Sequence, residues 1–310
     1  MLGVRGMSLT KLPLCFFLGL VAGCARQASA ADAPPETAEP SPAPADITAA
    51  AGPVAAGPVV AAADDPGPGP EAADAGDAPS GGHLFRDTFT APDGLISNEY
   101  AYWNPTHADA VVSAGWEMNS GSLFNLSGAA WSGVPDGIGP NAGSTGATDS
   151  SVFRMMTKRA DFGDVAVSFD LRNDGLVTTA RTPAVDWDGI HLWLRYQAEN
   201  SMYYASVNRR DGTVVLKKKV PGGPTNDGTY YLLSKSVAHA VPYGTWQHVE
   251  ATVKNEADGS VTVALYADGA LLVSANDVGL GGPPLRAPGK LGIRADNCNF
   301  RFDDFTVDAL

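Results

Sequence analysis

The sequence predicts an all-β fold, two antiparallel sheets stacked as a sandwich, over roughly its last three quarters. Three observations carry this. Short runs alternate apolar and polar residues, as in Asp164 to Leu171. Gly, Asp and Asn turn residues separate them, including Asp258-Gly259 and Asp268-Gly269 at hairpin positions. No window of ten or more residues carries a 3.6-residue apolar period, so helix is at most incidental.

The chain opens differently. Arg5 and Lys11 precede an apolar run from Leu12 to Ala22, which is too short to span a bilayer, since that takes roughly 20 residues. A charged start, a short apolar middle and small residues at the end describe an export signal over 1–24. Leu20-Val21-Ala22-Gly23-Cys24 resembles the bacterial lipobox, and the resemblance implies cleavage before Cys24 and lipid on its sulfur. An ordinary signal cleaved near Ala28 to Ala31 is the competing reading. Ala25 and Arg26 lack the Asp that resembles an inner-membrane retention signal, which favours the outer membrane, with the periplasm as the other expected location.

Residues 25–82 hold 20 alanines, 11 prolines and no aromatic residue. Such a composition cannot bury enough apolar area to offset its ordering entropy, so it reads as a disordered linker. Ala-Ala-Gly-Pro-Val at 50–54 and 55–59 is low complexity rather than a folding repeat. As a coil the linker spans about 40 Å, and as extended polyproline about 180 Å.

The charge divides by segment. Of the net −13, residues 1–24 carry +2, 25–82 carry −8 and 83–310 carry −7. An acidic chain with no basic block does not bind nucleic acid, because phosphate contacts need clustered Lys and Arg. Three cysteines, two of them in the first 24 residues, exclude a disulfide framework and a Cys-based zinc site. Cys298 reads as a small buried apolar group.

Within 83–310 the strands read as 164–171, 190–196, 203–207, 213–220, 246–253, 260–266, 270–275, 291–295 and 300–307. Leu84-Phe85-Arg86-Asp87-Thr88-Phe89 and Phe302-Asp303-Asp304-Phe305-Thr306-Val307 resemble the first and last strands of concanavalin A-like jelly rolls. Leu194 to Asn200, Tyr203 to Asn208, Gly244 to Val249 and Leu265 to Leu272 are similar to strands of laminin-G-like bacterial modules. The resemblance covers about 84–308 and implies a jelly-roll sandwich. That fold hosts lectins, hydrolases, lyases and adhesive modules, so activity has to be argued from the site.

Ile190 to Gln197 is the strand richest in chemistry. Strict alternation places His191, Trp193, Arg195 and Gln197 on one face, with Ile190, Leu192, Leu194 and Tyr196 on the other. The next strand adds Tyr204, Ser206 and Asn208, and Lys217 and Lys219 share a face further along. An open face of this composition suits a glycan: aromatic rings stack on sugars, and Arg and Lys hold a uronate or sulfate. The other reading is that both faces are buried, with Trp193 in the core and Arg195 pairing an internal Asp.

Polysaccharide lyases on this fold use a His or Tyr base, a Tyr acid and an Arg or Gln on the uronate carboxylate. His191, Tyr204, Arg195 and Gln197 supply those types, but Tyr203-Tyr204-Ala205-Ser206-Val207 lacks the Lys and Gly of the alginate-lyase-like strand. The five glutamates of this segment never form the Glu-x-Asp-x-Glu of family 16 glycoside hydrolases. Trp103 and Trp131 are further stacking candidates, whereas Trp116 reads as core. The resemblance also implies one structural calcium where first and last strands meet, with Asp87, Asp303 and Asp304 as its ligands.

The expectation is therefore a surface lipoprotein, joined to the membrane only through its lipid, that binds extracellular glycan. A polysaccharide lyase acting in the same cleft is the alternative, and an adhesive module with no sugar site is the third reading.

Overall fold

The computed structural model describes residues 82–136 and 151–310. Cys24, the signal segment and all of the linker except Gly82 lie outside the described residues. In chain order the first strands are β1 (Phe85–Asp87), β2 (Gly94–Asn98), β3 (Trp116–Ser120), β4 (Ser122–Asn125), β5 (Ala130–Trp131) and β6 (Val152–Thr157). Longer strands follow: β7 (Val165–Leu176), β8 (Gly189–Ala198), β9 (Ser201–Arg209), β10 (Thr213–Thr225) and β11 (Gly228–Leu232). The last are β12 (Val237–Ala238), β13 (Trp246–Asn255), β14 (Val261–Ala267), β15 (Ala270–Asp277), β16 (Lys290–Asp296) and β17 (Cys298–Ala309). Among the described residues the helix is confined to α1 (Glu99–Trp103), capped by the Asn98 side chain on the Ala101 N–H. No helix among them is long and apolar enough to cross a membrane.

Two antiparallel sheets result. One has nine strands, in the order β15-β14-β13-β7-β17-β5-β4-β2, with β1 also pairing with β17. The other has eight, in the order β11-β10-β9-β8-β16-β6-β3, with β12 on β10. The first and last strands meet as expected, Phe85 opposite Val307 and Asp87 opposite Phe305. The tract before 163 is more regular than its Gly- and Ser-rich sequence suggests. It supplies β2 to β6, whose two to six residues are too few to show a period.

Alternation builds the core between the sheets. β7 sends Val165, Val167, Phe169 and Leu171 inward, β17 sends Phe300, Phe302, Phe305 and Val307, and β8 answers with Ile190, Leu192 and Leu194. Each such side chain contributes about 1.5–3 kcal/mol on burial. Phe169 stacks on Phe305 at 5.7 Å, and Trp116 meets Phe305 edge-on at 5.0 Å, so Trp116 is core. The adjacent Asp303 and Asp304 interrupt β17 as a bulge: the register shifts there, and Asp304 has φ of 49°.

A buried polar network ties the two sheets at one edge. Lys218 of β10 points inward and its Nζ lies 2.9 Å from Asp277 Oδ2 at the end of β15, with both side chains fully buried. The same Asp277 oxygen accepts from the Tyr203 hydroxyl at 2.7 Å, and that hydroxyl accepts from the Leu285 N–H. The ammonium also donates to the Gly282 carbonyl. Removing one partner strands a buried charge, at a cost of about 3–5 kcal/mol. Urea unfolding of Asp277→Ala is expected to show a loss of that size, and Lys218→Met, which leaves Asp277 its Tyr203 donor, a smaller one.

Candidate functional site

The outer face of the eight-stranded sheet gathers most of the chemistry. Cross-strand pairs define it. His191 lies opposite Ser206 on β9 and Arg294 on β16, and Arg294 lies opposite Arg154 on β6. One residue pair along, Trp193 lies opposite Tyr204 and Gly292, and Tyr204 opposite Lys217. Lys219 completes the set beside Met202 and Tyr230. A Cβ on Gly292 would come within 3.1 Å of the Trp193 ring and 2.5 Å of the Met155 carbonyl oxygen, so glycine makes room for the indole.

These groups interact closely. Lys217 Nζ sits 5.8 Å from the Tyr204 ring centre and 5.5 Å from that of Tyr230, and Lys219 Nζ sits 5.0 Å from Tyr230. The His191 and Tyr204 rings are 4.7 Å apart, and Arg294 donates to Asp296 at 3.1 Å. Trp193, Tyr196, Met202, Tyr204, Tyr230 and Met156 form an apolar cluster separate from the main core. Nearly all of this floor is buried, including His191, Lys217 and Lys219. Asn208, the last residue named for this face, is buried as well, opposite Ile190.

Arg195 departs from its expected position. It sits at φ of 50°, in a bulge where β8 shifts register against both β9 and β16. Its guanidinium leaves the His191 face for a polar pocket between the sheets. There Nη2 donates to Asp164 Oδ1 at 2.7 Å, and Nη1 donates to Asn255 Oδ1 at 2.6 Å and to the Leu285 carbonyl at 2.8 Å. A charged side chain without exposed area needs such partners. A Cβ on Gly289 would meet the Arg195 carbonyl carbon at 2.6 Å, so glycine is required beside the bulge. The extra residue returns Tyr196 to the outer face, where it stacks on Trp193 at 5.0 Å. Gln197 is exposed and donates to the Pro288 carbonyl. The lyase constellation read from the sequence is therefore not assembled: His191 and Tyr204 meet, but Arg195 and Gln197 are held elsewhere.

His191 has a defined state. The Trp187 carbonyl, 3.0 Å from Nε2, can only accept, so Nε2 carries the proton and Nδ1 accepts from the Ser206 hydroxyl at 3.0 Å. Burial, followed by the charges of Arg294, Lys217 and Arg209, pushes its pKa well below 6.5, against the hydrogen bond to the Trp187 carbonyl. A neutral ring with both nitrogens engaged fixes the Trp187 loop and is not poised as a base.

At the β3 end the face reaches a more exposed rim. Trp103 is 66% exposed, its indole N–H anchored on the Asn119 carbonyl, and Tyr102 packs edge-on against it at 4.8 Å. Burial, then the nearby Glu117 and Glu199, raise the Tyr102 pKa, and Tyr102 in turn contributes to the raised value of Tyr196. The rim thus adjoins the floor. A cavity of about 260 Å³ opens beside it, lined by Ser97, Tyr102, Trp116, Glu117 and Lys158. Trp131 lies on the other sheet, its indole donating to Asn299.

The three aspartates expected to hold calcium do not fit that ion. Both Asp87 oxygens are engaged, by the Phe89 N–H at 3.0 Å and the Trp116 indole at 2.7 Å. Asp304 pairs with Arg86 at 3.1 Å, and Asp303 accepts from the Asp304 N–H. Among the described residues no three His, Cys, Asp or Glu side chains are grouped to hold a metal.

Sequence reasoning missed Arg294, Arg154, Tyr230 and Trp246. Arg294 was readable, because Leu291, Ile293 and Ala295 alternate inward and leave Arg294 outward. Tyr230 was not, since β11 has only five residues.

No protein-family model matches the chain, and no curated protein matches it. Solved structures similar to it include a protein of unknown function with a galectin-like fold from Bacillus subtilis. It is 13% identical, with 74% of this chain and 96% of that one covered and a TM-score of 0.45. The alginate lyase Aly36B is 10% identical, covering 73% and 96%, at 0.43. The metal-free carbohydrate recognition domain of Emp46p is 9% identical, covering 70% and 96%, at 0.44. Likenesses at such scores carry no argument, and the fold rests on the two sheets themselves.

The state of His191 has a measurable consequence. Its folded value lies below the ordinary 6.5, so as pH falls the unfolded chain takes up the proton first. The stabilisation is complete above about pH 6.5 and drains as pH falls toward the folded value. The urea midpoint of the wild type is expected to fall more steeply between about pH 7 and 5 than that of His191→Asn.

Proposed function

We propose that this chain is an exported, lipid-anchored protein that binds acidic glycan at the exposed rim of the outer face of its eight-stranded sheet. The observation that carries the reading is the convergence of Lys217, Lys219 and Arg294 with Tyr204, Tyr230 and Trp193 on one face of an otherwise acidic chain. Cations over aromatic rings are what a uronate or sulfated sugar needs: charge for the anion and a flat surface for the ring. Binding begins at the rim, because Trp103 and Tyr102 are exposed and the floor is not. Binding is favoured over lyase chemistry because His191 is neutral and engaged at both nitrogens, and Arg195 is committed to Asp164. The anchor is Cys24, with residues 25–82 as the spacer that holds the domain over 83–310 away from the bilayer surface, the outer membrane being favoured.

Affinity electrophoresis through polygalacturonate or another uronate polymer tests the site. Retardation is expected, weakening as salt rises, and Trp103→Ala is expected to lower affinity about tenfold or more, equivalent to about 1.4 kcal/mol. Equal mobility of wild type and variant at every salt concentration would reject it. For the anchor, cells given labelled palmitate are expected to label the wild type and not Cys24→Ser.

A further inference from the structure

A second surface lies on the opposite side of the sandwich, on the outer face of the nine-stranded sheet. Four outward side chains form one cross-strand row: Trp246 of β13 opposite Arg172 of β7, Arg172 opposite Arg301 of β17, and Arg301 opposite Trp131 of β5. The row crosses three strand spacings, about 14 Å. Like charges directly opposite each other on a sheet are unfavourable by themselves. Here Asp174 sits between them, 2.6 Å from Arg172 Nε and 3.4 Å from Arg301 Nε. Neither Nε–H makes a hydrogen bond with the carboxylate and both Nε atoms are buried, so the Nη groups are the guanidinium donors that can face a ligand.

The flanking tryptophans are not core residues. Trp246 is 43% exposed, and its indole N–H has no partner among the described residues. Trp131 is held in place by its donation to Asn299 at 2.8 Å and by Phe124, 5.5 Å from it. Two aromatic platforms separated by two partly exposed arginines are a costly arrangement for an idle surface, since tryptophan is usually buried. One residue pair further along, Asp170 lies opposite Asp303, with His248 on Asp170 at 2.8 Å. The row therefore has carboxylates on both sides and no excess of positive charge. An anion gains little there. Hydroxyls, which both donate and accept, match a surface that offers guanidinium donors beside carboxylate acceptors.

We propose that the Trp246–Arg172–Arg301–Trp131 row is a second glycan-binding surface that takes a neutral, linear, hydroxyl-rich polysaccharide lying across the strands. The two tryptophans stack on sugar rings, and the arginines between them donate to hydroxyls. The site shares no residue with the cationic face of the other sheet, so either can fail without the other.

The test is affinity electrophoresis of the full chain in gels containing hydroxyethylcellulose, with polygalacturonate in parallel. Retardation in hydroxyethylcellulose is expected to be insensitive to salt. Trp246→Ala and Arg172→Gln, both at exposed or half-exposed positions, are each expected to raise the apparent Kd at least tenfold while the melting temperature stays put. Leu271→Ala, an exposed apolar change elsewhere on the same sheet, is expected to leave retardation unchanged. Trp246→Ala is also expected to leave retardation in polygalacturonate unchanged. Absence of wild-type retardation in hydroxyethylcellulose, or equal retardation of wild type and both variants, would overturn the proposal. So would a sedimentation shift from dimer to monomer in Trp246→Ala, which would make the row a contact between two copies.

Discussion

The burial of one guanidinium organises the candidate site. Arg195 has no exposed area and must therefore be surrounded by acceptors, which it finds in Asp164, Asn255 and the Gly163 and Leu285 carbonyls. Those groups lie between the sheets, so β8 turns Arg195 away from the outer face through a left-handed residue and a bulge. Two consequences follow locally. Gly289 must lack a Cβ to admit the bulge, and the extra residue puts Tyr196 beside Trp193 on the outer face. The same contacts join β8 of one sheet to the residue before β7 and the end of β13 in the other, so one buried side chain links sheet packing to the composition of the site.

The two outer faces differ in chemistry although both derive from the same alternation. On the eight-stranded sheet, lysines and arginines are interleaved with tyrosines and a tryptophan, almost without solvent exposure. On the nine-stranded sheet the arginines are matched by aspartates, and the aromatic residues stand apart at the ends of one row. Positive charge is concentrated on the first face and balanced on the second. The net charge of the chain bears on neither, because a net of −8 of its −13 belongs to residues 25–82.

Much of the fold was legible from local pattern. β7, β8, β13 and β14 read as strands because each runs for seven residues or more with a clear alternation, and Asp258-Gly259 and Asp268-Gly269 mark the hairpins between β13, β14 and β15. Trp116 was recognisable as core from its setting in Gly115-Trp116-Glu117-Met118, and the adjacent Asp303 and Asp304 stand where β17 shifts register. β2 to β6 were not separable from loop, since two to six residues give no period to count. The calcium expectation came from where the first and last strands meet. They do meet there, but the Trp116 indole and the Arg86 guanidinium occupy Asp87 and Asp304.

Sequence by itself determined that this is a two-sheet β protein with an Ala- and Pro-rich segment over 25–82, because composition and period-two alternation are local properties. It also placed His191, Trp193, Tyr204, Lys217 and Lys219 on connected strands. Only the tertiary structure decided which of these residues meet. The direction of Arg195 depends on Asp164, Asn255 and Leu285, residues 31, 60 and 90 positions away along the chain. Alternation fixes a side chain's face only while the register holds, and a single extra residue reverses it for everything that follows. The Trp246–Arg172–Arg301–Trp131 row has the same origin: its members come from four strands spread between residues 131 and 301, and strand order alone aligns them.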